Sequence, residues 1–266
     1  MANGAQGGPG HDPGESPAAD PAKGSSEGSS EGSSEIADTT AEAGAHRFVS
    51  AYTADSVPSA HDGRIYAPAA GRNAAAIGDA LVPLLGSLAG TLLEVGSGTG
   101  QHAAHLAALL PALTWQPTDL EPLHLTSIEA WRRHAGLPNL NAPFRLDATG
   151  PWPGDAGVAP LLPLAALFSA NVIHIAPWSV AEGMVAGAGQ ALLPGGRLVL
   201  YGPFKEGGQH TGEGNVRFDA ALRARDPSHG VRDIDAVAAL ATGAGMGPPA
   251  ITRMPANNLL VAFTKG

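Results

Sequence analysis

The stretch Leu92–Leu106, LLEVGSGTGQHAAHL, carries the clearest chemistry in the chain. An apolar run reaches Glu94, Gly96, Gly98 and Gly100 follow at alternate positions, and an alanine- and leucine-rich stretch comes next. Glycines placed so strip side chains from a turn, which lets backbone approach a ligand closely and lets φ turn positive. The dinucleotide fingerprint asks for Gly-x-Gly-x-x-Gly/Ala. Aligned on Gly96 and Gly98, its last position is Gln101, too bulky for the close helix–strand packing that the third glycine permits. The P-loop pattern fails as well, because no Gly-Lys-Ser/Thr follows. Asp119 comes about 20 residues later, where an acid grips ribose hydroxyls in nucleoside-binding α/β folds, and that position favours the ribose role over a cap on the helix that follows. His102 and His105 lie three apart but have no evident third ligand, so the spacing favours a packed or solvated face over a metal site.

These residues need elements to position them. TLLEV reads as a buried strand, and QHAAHLAALLPAL as a helix stopped near Pro111. LTWQPTD is a second strand in which Pro117 points to an edge or a terminus. PLHLTSIEAWRRHAGLP has helical spacing and is stopped by Gly136 and Pro138. APFRLDAT, LAALFSANVIHI and RLVLYGPF read as further strands, with the glycine-rich helix SVAEGMVAGAGQALLPGG before the last of them. NVRFDAALRARDP and DIDAVAALATGAG are helical, and AITRM and NLLVAFTK are two closing strands, with Asn257 and Asn258 in the turn between them. Alternating strands and helices predict a parallel sheet covered on both faces. Two adjacent strands at the end predict an antiparallel hairpin at its edge.

Composition narrows the function classes. Cysteine is absent from the 266 residues, which excludes disulfides, thiolate metal sites and a Cys nucleophile. Neither a signal peptide nor an apolar run of spanning length is legible, so a soluble, cytoplasmic protein without a membrane partner is expected. Residues 1–45 hold eight acids and one base, which is −7 of the net −9 and leaves −2 for the rest. A near-neutral body predicts no nucleic-acid partner. The first 45 residues, with the repeat GSSEGSSEGSSE, are expected to be a disordered acidic tail on a single domain spanning 46–266.

LLEVGSGTG resembles motif I of the class I, Rossmann-like methyltransferases that use S-adenosylmethionine. DGRIYAPAAGRN, TWQPTDLE, RLDATGPWP, SANVIHIAPW, LLPGGRLVLYGPFKEGGQHT, LRARDPSHGVRD and MPANN, in that order, are similar to the branch called methyltransferase-like protein twenty-six, over roughly His61 to the C-terminus. The resemblance implies an α/β fold: a seven-stranded, mostly parallel sheet with an antiparallel edge strand and helices on both faces. It implies S-adenosyl-L-methionine as cofactor and methyl transfer to a small molecule.

The cofactor set it implies is Glu94, Gly96, Ser97, Gly98, Gly100, Asp119, Leu120, Asp147 and Asn171. Glu94 would orient the loop and balance the ligand's positive charge, unless it is a solvated strand-end carboxylate. Asp147 would face the adenine amino group, unless it only forms a turn. Catalytic candidates are Asn171, His174 and Arg72. His174 is the plausible base, since imidazole titrates near neutrality, but its isoleucine neighbours fit a packed histidine equally well. Tyr66, Arg72 and Asn73 would cover the site, with Arg72 able to hold a carboxylate or to form a surface ion pair. Trp178, Tyr201 and Phe204 would wall the substrate pocket, or in the case of Phe204 fill the core. Two rival functions are a non-catalytic S-adenosylmethionine-binding scaffold and a nicotinamide-dependent oxidoreductase, and Gln101 argues against the second.

Overall fold

The structure is a computed structural model that describes residues 57–58 and 62–266; the segment 1–45, expected to be a disordered tail, lies outside them. A two-residue ladder pairs β1 (Val57–Pro58) with β2 (Ile65–Tyr66). Then α1 (Pro68–Leu85) leads into the alternating core of β3 (Gly90–Val95), α2 (Gln101–Leu109), β4 (Leu113–Asp119), α3 (Pro122–Ala135), β5 (Phe144–Arg145), β6 (Leu164–Ala170), α4 (Trp178–Ala191) and β7 (Leu192–Gly202). A small hairpin of β8 (Lys205–Glu206) and β9 (Gln209–His210), then α5 (Glu213–Arg225) and α6 (Ile234–Gly243), precede β10 (Ala250–Arg253) and β11 (Leu259–Thr264).

Seven strands form the main sheet in the order β10-β11-β7-β6-β3-β4-β5. All neighbours from β7 to β5 are parallel. The antiparallel edge is there: β11 runs against β7 on one side and β10 on the other, so the reversed strand lies one place in from the rim. The chain passes from β3 outward to β5 and then crosses to β6 on the far side of β3. That reversal is a topological switch point, the place where open α/β sheets bind ligands.

Period-two alternation divides the strands between two cores. Leu93, Leu198, Leu200 and Val261 face α4 and α6, meeting Val180, Met184 and Val237. Leu92, Val199, Tyr201 and Leu260 face α1 and α2, meeting Ile77, Leu81 and Leu106. Helices thus cover both faces, and the continuous apolar runs of the parallel strands are explained by burial on both sides.

The structure differs from the sequence reading in several places, one being that α4 stops at Ala191 and residues 192–196, read as the end of that helix, belong to β7. β5 is only two residues long, and Leu146 after it, still bonded through its N–H to the Asp119 carbonyl, lines the crevice. The strand read through VIHI stops at Ala170: Asn171 has φ +64° and Val172–His174 is a 3-10 turn. Pro117 sits two residues from the end of a strand inside the sheet. On the outer side the β5 ladder resumes only opposite Thr118, so the proline removes no bond there. The glycines of α4 have a reason beyond propensity. A Cβ on Gly183 would strike the Ala148 carbonyl and one on Gly187 the Trp152 ring, so bare backbone lets the 146–152 segment lie against the helix.

Candidate active site

A crevice opens at the C-terminal ends of β3, β4, β5 and β6, across the switch point. It encloses about 1090 Å³ of empty space, counting the part open to solvent. The loop after β3 forms its floor with Gly96, Ser97, Gly98 and Thr99; Asp119, Leu120, Asp147, Asn171 and Asn73 stand on the walls. Sequence reasoning missed His102 and Thr99, as well as the apolar surfaces of Leu146, Ile175 and Val180.

The three loop glycines are bare for three different reasons. A Cβ on Gly96 would collide with Val172, the residue that follows Asn171 across the switch point. A Cβ on Gly100 would lie 2.7 Å from the Ile128 Cα, so this glycine admits α3 rather than a ligand. A Cβ on Gly98 would meet nothing within 4 Å and would enter the crevice. All three have positive φ, +70°, +56° and +88° in chain order. Gly100 does not line the crevice, contrary to its place in the expected cofactor set.

Hydrogen bonds lock this loop to β4. The Ser97 N–H donates to the Thr118 carbonyl at 2.8 Å, and the Gly98 N–H donates to Asp119 Oδ2, also at 2.8 Å. Asp119 Oδ1 accepts from the Glu121 N–H and from His124 Nδ1, both at 3.0 Å. Burial alone would pull His124 down, but the bond and charge of Asp119 outweigh it and hold the imidazole above its ordinary value. Asp119 therefore shapes the loop while presenting an acceptor to the crevice. Asp147 lines the crevice, and its Oδ1 closes a turn on the N–H and hydroxyl of Thr149 at 2.9 and 2.7 Å.

Glu94 is placed differently from the expectation. Its carboxylate is buried beneath the loop, where Oε2 accepts from Trp115 Nε1 at 2.8 Å, and it does not line the crevice. Burial pushes its carboxyl up to about 7, against the lowering effect of hydrogen bonds from Trp115 and Ser97. A group half-protonated near neutrality is a poor counter-charge, so Glu94 acts on the loop from behind.

Several other candidates fall outside the crevice. His174 is fully buried, packed edge-on to Phe204 with ring centroids 4.8 Å apart. Its Nδ1 accepts from the Arg232 N–H at 3.2 Å, which leaves the single proton on Nε2. Burial and the Arg232 charge push it down to about 3, so it is neutral and sealed away, as a packed histidine rather than a base. Phe204 and Tyr201 are core residues too, and the Tyr201 hydroxyl accepts from Asn258 at 2.9 Å, so Asn258 does more than form a turn. Trp178 lies under the Arg232 guanidinium, 5.6 Å from its ring centroid. Arg72 is exposed on α1, and Tyr66 packs edge-on to Trp131 at 4.9 Å on the surface. None of these lines the crevice, because each points to the side of its element that faces the core or the solvent. His102 and His105 also separate: the first lines the crevice, the second a groove among α1, α2 and α3.

Arg232, to which the sequence reading gave no role, organises the turn after β6. Its guanidinium donates to the carbonyls of Ile173 at 2.9 Å and of Ala176 and Ser228, both at 2.7 Å. Asp219 is the neighbouring node, held by Lys205, His210, Arg223 and the Val231 N–H at 2.8–3.0 Å. Burial would raise its carboxyl, but these donors outweigh that and hold it at about 2. The sequence signal was present in the charged stretch around α5; its partners were not legible.

Solved structures share this architecture. An O-methyltransferase family 2 protein from Planctomyces limnophilus, solved with apigenin, is 20% identical with a TM-score of 0.61, over 74% of this chain and 59% of that one. An O-methyltransferase family protein from Burkholderia thailandensis is 16% identical at 0.59, over 71% and 56%. Human N-acetylserotonin methyltransferase, solved with S-adenosylmethionine, is 16% identical at 0.53, over 66% and 47%. The chain thus spans about half the length of the structures it matches. Among the described residues no helix is long and apolar enough to cross a membrane. The fold is that of the class I S-adenosylmethionine-dependent methyltransferases, and the match of residues 64–265 shows that the chain belongs to the family described as "Protein of unknown function (DUF938)".

Proposed function

We propose that this protein binds S-adenosylmethionine in the switch-point crevice and catalyses methyl transfer to a small-molecule acceptor. The observation that carries the reading is the pairing of open space over Gly98 with Asp119 and Asp147 on the adjoining strand ends. The donor set fits the cofactor. Asp119 is the acceptor for ribose hydroxyls, Asp147 and the apolar surfaces of Leu146, Ile175 and Val180 suit a flat base, and the glycine loop with Asn73 takes the amino-acid end. When bound, this cofactor supplies a methyl group already activated by a sulfonium.

The chain's task is then positioning and exclusion of water. Asn171, fixed in a left-handed conformation with its N–H bonded to the Tyr201 carbonyl at 2.7 Å, is a polar residue on the crevice wall. The apolar wall keeps water from competing with the acceptor. The small-molecule acceptor is supported by the apigenin bound to the Planctomyces protein.

Titration calorimetry with S-adenosylhomocysteine and with NAD tests the reading. Binding of the first and not the second is expected, followed by transfer of labelled methyl from S-adenosylmethionine into a metabolite extract. Binding of NAD alone would overturn it in favour of an oxidoreductase. Retention of S-adenosylhomocysteine with no acceptor labelled would favour the scaffold.

A further inference from the structure

Gln101 stands where a dinucleotide-binding turn would need glycine or alanine, and its side-chain oxygen takes two hydrogen bonds. Oε1 accepts from the Ala67 N–H at 2.5 Å and from the Thr99 hydroxyl at 3.1 Å. A second tie runs alongside. The Ser127 hydroxyl accepts from the Ile65 N–H at 2.9 Å and donates to the Thr99 carbonyl at 2.7 Å. Both ties meet on Thr99, the residue between Gly98 and Gly100, and both grip the chain just before α1 begins at Pro68. Ile65 and Ala67 are buried, so these N–H groups have no water to turn to if the ties are lost.

The consequence lies one turn further on. Ala67, Ala70 and Asn73 recur at three-residue intervals on one face and line the crevice opposite the glycine loop. The other end of the crevice is apolar around Asp147 and suits a base. The side bounded by α1 offers backbone, Asn73 and His102 and, among the described residues, no Lys or Arg, which suits a ligand head that carries both an ammonium and a carboxylate.

We infer that Gln101 and Thr99 are positioning residues: they clip the α1 wall to the glycine loop and so build the subsite for the amino-acid end of the ligand. This rests on the methyl-donor reading of the crevice. It assigns to Gln101 a binding role that the failed dinucleotide pattern does not suggest. The clip spans 34 residues between Gln101 and Ala67 and 62 between Ser127 and Ile65. It therefore fixes a wall that neither helix could hold by itself.

The test uses two ligands that share the nucleoside and differ in the amino-acid end, S-adenosylhomocysteine and 5′-methylthioadenosine. Their affinities are measured by calorimetry on the full chain and on Gln101→Ala and Gln101→Glu. Loss of the clip is expected to weaken S-adenosylhomocysteine about tenfold, the scale of one lost hydrogen bond, and 5′-methylthioadenosine by less than about twofold. Gln101→Glu keeps an acceptor at Oε1 and should retain most of the difference between the two ligands. Faster amide exchange at Ala67 in Gln101→Ala alone would report the wall directly. Should Gln101→Ala fold poorly, Thr99→Val removes the hydroxyl arm and is expected to act in the same direction. Equal weakening of both ligands, or of neither, overturns the clip as a subsite device. If the wild-type chain takes up neither ligand, the methyl-donor reading itself falls, a result distinct from unchanged discrimination in the variants.

Discussion

Two turns leave the sheet side by side, after β3 and after β6, and they treat their polar groups in opposite ways. The glycine loop faces open space: Gly98 is bare toward the crevice, while Ser97 and Asp119 fasten the backbone from the sides. The turn after β6 is braced from within, although Asn171, Val172 and Ile175 also line the crevice. His174 is sealed in the core, and Arg232 satisfies the carbonyls of Ile173 and Ala176 that a buried turn would otherwise leave unpaired. One turn is open over a bare glycine and the other is braced from behind. Histidine, arginine and aspartate in the second are therefore framework, although by type they look like chemistry.

The largest expected effect lies in the framework. Asp219→Ala leaves Lys205, His210, Arg223 and the Val231 N–H around a nearly buried vacancy. A loss of about 3–5 kcal/mol in urea unfolding is expected, as for breaking a buried ion pair on one side. A loss below about 1 kcal/mol would mark the cluster as an ordinary surface network and blur the contrast between the two turns.

Glu94→Gln sharpens the contrast from the loop side. Because the folded carboxyl titrates at about 7 rather than 4.5, the native state holds the proton more tightly. The Glu94 contribution thus falls as pH rises from 4.5 to 7 and is flat outside that window. The stability difference between variant and wild type should shift by about 3 kcal/mol in favour of the variant between pH 4.5 and 8. Buried His102 and His174, held down at about 4 and about 3, oppose this slope in both proteins and cancel in the difference. A constant difference across that range would mean that Glu94 is solvated.

A smaller effect separates two glycines two residues apart. Gly100→Ala drives a Cβ into the α3 backbone at positive φ and should cost about 2–3 kcal/mol. Gly98→Val has room for its side chain and should cost only about 1–2 kcal/mol of backbone strain, yet it fills the crevice and should abolish binding of S-adenosylhomocysteine. Unchanged affinity in Gly98→Val would refute the placement of the ligand over this loop.

Much of this was legible before any coordinates. Hydrophobic alternation and the helix stops located the strands and helices, because period and punctuation are local properties. Gly98, Asp119, Asp147, Asn73 and Asn171 were found by motif and resemblance, and they meet in one crevice because the fold brings strand ends together. His174, Tyr201, Phe204, Trp178, Arg72 and Tyr66 were read as site residues and are not on its walls, since side-chain direction depends on where a strand ends. The strand read through His174 to Ile175 stops five residues earlier, at Ala170, and His174 lies in the following turn with its imidazole in the core. Likewise, Glu94 sits at the correct strand end but points behind the loop.

The sequence by itself determined the element order, the parallel sheet with its closing hairpin and the position of the bare loop, since each depends on contacts between near neighbours or on a repeating period. Only the tertiary structure decided why each loop glycine is bare, which charged residues are framework and what Gln101 holds. Those answers lie in pairs of residues such as Gly100 with Ile128, Arg232 with Ile173 and Gln101 with Ala67, far apart along the chain and joined only when helices settle on the sheet.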